Sequence, residues 1–176
     1  SPIHFGLAFV VGPALVALGS TIGQAVTSKG GVRQVAVVGM ALGGLGCLLL
    51  TKVSVEGNYL EDVLPGLMVF GAGLGAAYVA GSISSLTGVT DADAGVASGL
   101  NNASFQIGGA VGVAILSTVA VSGAGGSKQL TALTAGYQSA FAVAGAFAAV
   151  GLTVALLLLG QRQRPAAAPH AEPSSA

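Results

Sequence analysis

Amide side chains lie close together in the segment NNASFQIGG, residues 101–109, and they are the polar groups best placed to contact a solute. Asn102 and Gln106 share one helical stripe with Gly109, because residues three and four apart lie on the same face of a helix. Amides are costly in lipid and normally point into the protein or toward water. Two roles are open for Asn101, Asn102 and Gln106: they line a substrate path, or they hydrogen-bond to other helices.

Gln24 and Tyr78, which lie in two other apolar stretches, are further candidates for such a path. Groups for other chemistry are missing from the sequence. The two histidines, His4 and His170, are isolated, and no carboxylate lies deep in an apolar stretch. Because there is no candidate acid, base, nucleophile or metal cluster, we predict that the protein is not an enzyme and binds no metal and no cofactor.

Two carboxylates, Asp91 and Asp93, begin the segment TDADAGVASG and allow two interpretations. They contact a cation or a proton, or they cap a helix, since carboxylates are favoured beside the free N–H groups at a helix N-terminus. Glu61 and Asp62, just before Pro65, allow the same capping interpretation for the preceding helix.

The scarcity of charge indicates what kind of protein holds these residues. Charged residues make up 7% of the chain, whereas soluble domains contain about 25%. The formal net charge is zero, so nothing in the charge favours a nucleic-acid partner. Uncharged stretches, several of them longer than the about 20 residues that cross a bilayer, separate the charged clusters. The composition predicts an all-α, multi-pass transmembrane bundle of about five helices, with the lipid bilayer as its partner.

Five spans are predicted, at about 5–27, 34–52, 63–87, 94–120 and 138–160, and together they form one membrane domain, residues 1–160. Pro13, near the middle of the first span, predicts a kink. The remaining segment, 161–176, is polar and rich in proline and alanine, which predicts a disordered tail.

The basic residues predict an orientation. Loops that retain Lys and Arg on the cytoplasmic side set the topology of a multi-pass protein. With five alternating spans, one side of the membrane holds four basic residues and the other holds two; these are Lys29, Arg33, Arg162 and Arg164 against Lys52 and Lys128. We therefore expect Ser1 outside and the tail in the cytoplasm.

Glycines at four-residue spacing predict close contacts between helices. In lipid, helices associate through close backbone approach, which GxxxG pairs permit. Four such pairs are candidates for helix packing: Gly39 with Gly43, Gly71 with Gly75, Gly95 with Gly99, and Gly108 with Gly112.

Four segments are distinctive: SPIHFGLAF at 1–9, KGGVRQV at 29–35, LPGLMVFGAGLG at 64–75, and DAGVASGLNNASFQIGGAVGVAILSTV at 93–119. Together they resemble the C-terminal part of major facilitator superfamily transporters, in particular the bacterial fourteen-helix drug:proton antiporter branch. The resemblance covers about residues 1–160 and implies that these are the last five of fourteen helices, in a bacterial cell membrane. It also implies that the N-terminal helices of the same transporter are partners and that the basic loop and the C-terminus are cytoplasmic.

The same resemblance implies proton-coupled export of a small, drug-like compound, that is, multidrug efflux. The loop KGGVR is similar to the basic loop motif of the family but lacks its acidic residue, and Phe105 stands where relatives often carry arginine. Neither the loop switch nor the charge contact of the family is therefore carried over. No ionisable residue lies in the middle of a predicted span, so a proton carrier would lie in another part of the transporter.

The chain opens on Ser1 and Pro2 rather than on Met, which suggests a piece of a longer protein. Such transporters work by rocking two helical bundles around a central site, so we expect this piece alone to be inactive. The alternative is a non-transport membrane scaffold or subunit packed by GxxxG contacts, an interpretation that the lack of buried charge favours.

Overall fold

Five long α-helices make up the fold in a computed structural model, which describes the backbone of residues 2–161 and the side chains of residues 10, 12–28 and 31–157. The described part contains no β-strand, so the predicted all-α fold is confirmed. The predicted disordered tail lies outside the described residues. The helices are α1 (Pro2–Gly30), α2 (Val32–Leu50), α3 (Leu64–Leu86), α4 (Ala94–Gly123) and α5 (Leu130–Gln161).

The helices run beyond the predicted spans at several ends. Helix α5 begins at Leu130 rather than at about residue 138, and α4 continues to Gly123. A helix of 32 residues is about 48 Å long at 1.5 Å per residue, whereas the hydrocarbon core is about 30 Å thick. The apolar residues mark the part of each helix that fits the lipid. The helix itself, defined by its backbone hydrogen bonds, continues beyond that part.

The connections are short where glycine allows a sharp change of direction. Gly31 alone separates α1 from α2, with a φ of 85° that L-residues with side chains rarely adopt. A π-helical turn, Tyr59–Val63, leads into α3, and the Asn58 side chain accepts a hydrogen bond from the Leu60 amide at its start. Asn58 caps this segment, and Glu61 and Asp62 lie in its first turn. The N-cap position of α3 itself is Val63, with no side-chain capping bond. Helix α1 continues through Pro13.

Four helical segments in the described part of the chain have the length and apolarity needed to cross a membrane. These are Val32–Leu50, Tyr59–Leu86, Ala94–Gly123 and Leu130–Leu157. Most of their large apolar side chains face outward, for example Val113 at 67% exposure. In a chain with so few charges, such a surface fits lipid or further helices better than water.

Helix α3 lies between α1 and α2, and its glycines make both contacts possible. A Cβ atom added at Gly71 would lie 2.8 Å from the Leu15 Cβ of α1, and one at Gly75 would lie 2.6 Å from the Ser20 amide nitrogen. On the other side of α3, an atom added at Gly73 would meet the backbone of α2 at Gly43. The GAGLG segment, residues 71–75, thus packs on α1 with one side and on α2 with the other.

The contacts of α2 continue this backbone-to-backbone packing. A Cβ atom at Gly39 would lie 2.6 Å from the Ala77 nitrogen, and one at Gly46 would lie 2.5 Å from the Phe70 nitrogen. The opposite side of α2 packs on α5. A small apolar core forms where α2, α3 and α5 meet, made of Val35, Ala36, Ala80 and Ala155.

Helix α4 is the most exposed element. It packs chiefly on α5, where Gly123 approaches Gly136, and it touches α3 only lightly. None of its thirty residues, all of which the structure describes, is buried. Its predicted packing glycines have no neighbour within 4 Å of an added Cβ atom, so their packing role remains a prediction about helices beyond these five; they are Gly95, Gly99, Gly108 and Gly112.

Candidate functional site

A cleft of about 310 Å³ opens between α3 and α4, where the two helices diverge. Glycine backbone forms much of its wall, which leaves room for a small group. Gly81 contributes from α3, and α4 contributes Asn101, Ser104, Phe105, Gly108 and Gly109.

One aromatic pair bridges the two helices beside the cleft. The ring centroids of Tyr78 and Phe105 are 4.5 Å apart, and the rings are tilted by 43°. This separation and tilt lie within the range that aromatic pairs favour. Tyr78 is 49% exposed and Phe105 is 39% exposed, so both rings keep free surface for a further contact.

Two polar groups face each other across the same helix pair. The Ser85 hydroxyl lies 2.9 Å from Asn101 Oδ1 and 2.9 Å from its own helix carbonyl at Ser82. The Ser104 hydroxyl donates to the Leu100 carbonyl at 2.8 Å. Asn101 Nδ2 makes no hydrogen bond within the described chain, and Ser104 Oγ keeps its acceptor capacity. The cleft therefore presents the Asn101 amide nitrogen as a donor and the Ser104 hydroxyl oxygen as an acceptor.

Of the four predicted amides, Asn101 is the one that lines the cleft. Asn101 lines it, whereas Asn102 and Gln106 are exposed and do not. Of the stripe predicted from their spacing, only Gly109 lines the cleft. Tyr78 lies at the cleft through its contact with Phe105, and Gln24 is an exposed residue of α1 that does not line it.

Sequence reasoning missed Phe105, Ser104 and Gly81 as lining residues. At Phe105 the family resemblance points only to a charge contact, which a phenyl ring cannot make. The spacing of Asn101, Phe105 and Gly108, at i, i+4 and i+7, contained the signal, because these positions form the stripe next to the one predicted.

The carboxylates before α4 do not make the expected capping hydrogen bonds. Asp93 occupies the N-cap position, but its backbone is helical, with φ −98° and ψ −6°, and its side chain makes no capping bond. Its Oδ2 instead accepts a hydrogen bond from the Thr90 hydroxyl at 2.8 Å. Asp91 is exposed in the preceding turn. An N-cap residue needs an extended backbone to direct its oxygen over the helix end, and Asp93 lacks it.

The basic loop lies between α1 and α2. Arg33, in the first turn of α2, is partly buried, and its Nε atom is enclosed without a hydrogen-bond partner in the described structure. The Lys29 side chain lies outside the described residues. Within the described residues, no cluster of three or more His, Cys, Asp or Glu side chains could hold a metal ion.

The comparisons with known proteins agree with one another. The Major Facilitator Superfamily model matches residues 1–175. The lincomycin resistance protein of Streptomyces lincolnensis is 34% identical over 158 residues, which is 89% of this chain and 31% of that protein. The cephamycin export protein CmcT of Amycolatopsis lactamdurans is 36% identical over 129 residues, 72% of this chain and 24% of that protein.

A third relative, the puromycin resistance protein pur8 of Streptomyces alboniger, is 30% identical over 122 residues, 68% of this chain and 24% of that protein. The chain thus spans about a third or less of the length of these relatives. No solved structure gives a significant match.

Proposed function

Because the chain belongs to the Major Facilitator Superfamily, we propose that it is the C-terminal part of a secondary active transporter that exports small, drug-like compounds. The observation that carries this proposal is its similarity to relatives named for antibiotic resistance and export, across most of its own length. The exposed faces of α4 support the proposal, because such faces are stabilised by further helices or by a water-filled path beside them.

Proton coupling is part of the same proposal. The described spans hold no carboxylate or basic group in their middle, so the proton carrier of this transporter would lie in helices beyond these five. The chain's own contribution is a polar face, where Asn102 and Gln106 are exposed in the central part of a membrane helix. Amides at this depth are favoured when they line a watery cavity.

Alanine substitution of these amides tests the path-lining role in the intact protein. We expect Asn102→Ala or Gln106→Ala to lower drug export in cells that express the protein at the normal level. Gln129→Ala is the matched control, because Gln129 is an exposed amide residue outside the spans. Export that is unchanged in both path variants would contradict the role.

A membrane scaffold is the second candidate, and the open glycine surface of α4 favours it. The pairs Gly95 with Gly99 and Gly108 with Gly112 have no atom of the described residues within 4 Å of an added Cβ atom, and they suit a helix of another protein. Drug accumulation in a strain that lacks the protein separates the two candidates. An exporter lowers accumulation when it is restored, and a scaffold leaves it unchanged. Neither candidate is an enzyme.

A further inference from the structure

We infer that the α3–α4 cleft is a binding subsite for a planar aromatic ring that carries an uncharged amide-like group. This inference rests on the proposed exporter and specifies the part of the drug that these helices recognise. It starts from three features that meet in one place: a free aromatic face, a donor and acceptor pair, and a wall without side chains.

The aromatic face belongs to Phe105. It lines the cleft, and its ring packs on Tyr78, which does not line the cleft, at a centroid distance of 4.5 Å. Aromatic rings attract a further ring at offset or edge-on geometry beyond the effect of buried area alone. Tyr78 is thus a positioning residue, and Phe105 is the residue that contacts the ligand ring.

The polar pair selects the group attached to that ring. Asn101 Oδ1 accepts from the Ser85 hydroxyl, whereas the Asn101 amide nitrogen makes no hydrogen bond in the described structure and can donate to a ligand. The Ser104 hydrogen is used by the Leu100 carbonyl, so its oxygen is left to accept. A ligand with one carbonyl acceptor and one N–H donor, as in a secondary amide, matches both groups.

The glycines that line the cleft set the size of the ligand group that it can hold. An added Cβ atom at Gly108 or Gly109 would meet nothing within 4 Å, and one at Gly81 would approach Phe105 Cζ at 3.8 Å. The volume of about 310 Å³ is at the small end of ligand pockets. The cleft therefore accommodates a ring and its amide, and the rest of a larger drug would lie outside it.

The test uses the intact protein purified in detergent and two probes that differ only in aromaticity. These are N-benzylacetamide and N-(cyclohexylmethyl)acetamide, titrated by saturation-transfer difference NMR. We expect the benzyl probe to bind about 2- to 10-fold more tightly, the range that aromatic contacts contribute. Phe105→Leu should remove this preference, and Phe105→Tyr should keep it. Equal affinities in the unmodified protein, or a preference that survives Phe105→Leu, would overturn the inference.

Filling the cleft gives a second, independent measurement. Gly108→Val adds two methyl groups inside the cleft, and its Cβ atom has no described atom within 4 Å. The packing of the described helices should therefore be retained while binding of both probes is lost. Gly95→Val adds the same bulk to α4 outside the cleft and should leave binding unchanged. Equal effects of the two variants would place the probes elsewhere. Melting temperatures confirm that each variant is folded.

Probe binding and drug export are measured separately, so the subsite and the proposed export can be contradicted independently. Probe binding with the expected preference, in a protein that does not lower drug accumulation in cells, supports the subsite and contradicts the proposed export. Export without any probe preference supports the transporter and overturns the subsite.

Discussion

Gln138 connects two parts of the chain that are 85 residues apart. From α5, its Nε2 donates to the Val53 carbonyl in the segment that follows α2, at a distance of 2.7 Å. Both groups are partly buried, and the Val53 carbonyl lies past the end of a helix, where backbone acceptors lack helical partners. The bond therefore anchors the α2–α3 connection to α5.

Removing this bond should measurably destabilise the fold. We expect Gln138→Ala to lower the free energy of unfolding by about 1 kcal/mol, because a partly buried carbonyl loses its donor. Sodium dodecyl sulfate titration in mixed micelles, followed by circular dichroism, measures the change. Gln129→Ala is the control, since that exposed side chain makes no hydrogen bond in the described structure. Equal midpoints for the two variants would show that the Val53 contact contributes nothing.

At the scale of the element, α3 is held by glycines on two faces. Gly71 and Gly75 admit α1, and Gly73, two residues from each, admits α2. A side chain at any of the three positions would force the helices apart. Main-chain atoms lie opposite Gly73 and Gly75, the Leu15 Cβ atom lies opposite Gly71, and none of these atoms can rotate away. The tight unit of α1, α2 and α3 depends on these contacts.

One added methyl group tests this packing. We expect Gly39→Ala to cost about 1–3 kcal/mol, the typical range for overpacking, since its Cβ would lie 2.6 Å from the Ala77 nitrogen. Gly99→Ala makes the same change in α4 where no atom lies within 4 Å, and it should stay within about 0.5 kcal/mol of the unmodified protein. Detergent unfolding of both variants gives the comparison. A Gly39→Ala protein as stable as Gly99→Ala would refute the close approach.

The helices themselves were predictable from composition, because an apolar stretch in lipid has to satisfy its own backbone hydrogen bonds. The contacts between the helices were less predictable. Four-residue spacing identified Gly39, Gly71 and Gly75, but Gly73 belongs to no such pair and its contact with α2 depends on which face of α3 turns that way. The residues that line the cleft show the same limit of sequence-based prediction. Helical spacing grouped Asn102 with Gln106 correctly, yet the position of α3 alone decides that Asn101 lines the cleft.

At the scale of the whole molecule, the distribution of Lys and Arg predicts an orientation that labelling can test. In a Cys47→Ala background, Glu56→Cys lies between α2 and α3, and Thr90→Cys lies between α3 and α4; both positions are exposed. We expect a membrane-impermeant maleimide to label Glu56→Cys in intact cells and Thr90→Cys only in inside-out vesicles, because the side richer in Lys and Arg stays cytoplasmic. The reverse pattern would invert the topology.

At the same scale, we predict that the five helices do not transport by themselves. Alternating access requires one bundle to rock against another around a shared site, and here α4 carries an exposed face with no second bundle opposite it. We expect vesicles reconstituted with residues 1–176 alone to show no uptake of ethidium driven by a proton gradient. Vesicles with the complete transporter should accumulate it, which is the matched control. Proton-driven uptake by the 176-residue chain alone would mean that five helices, by association with copies of themselves, can build the second bundle.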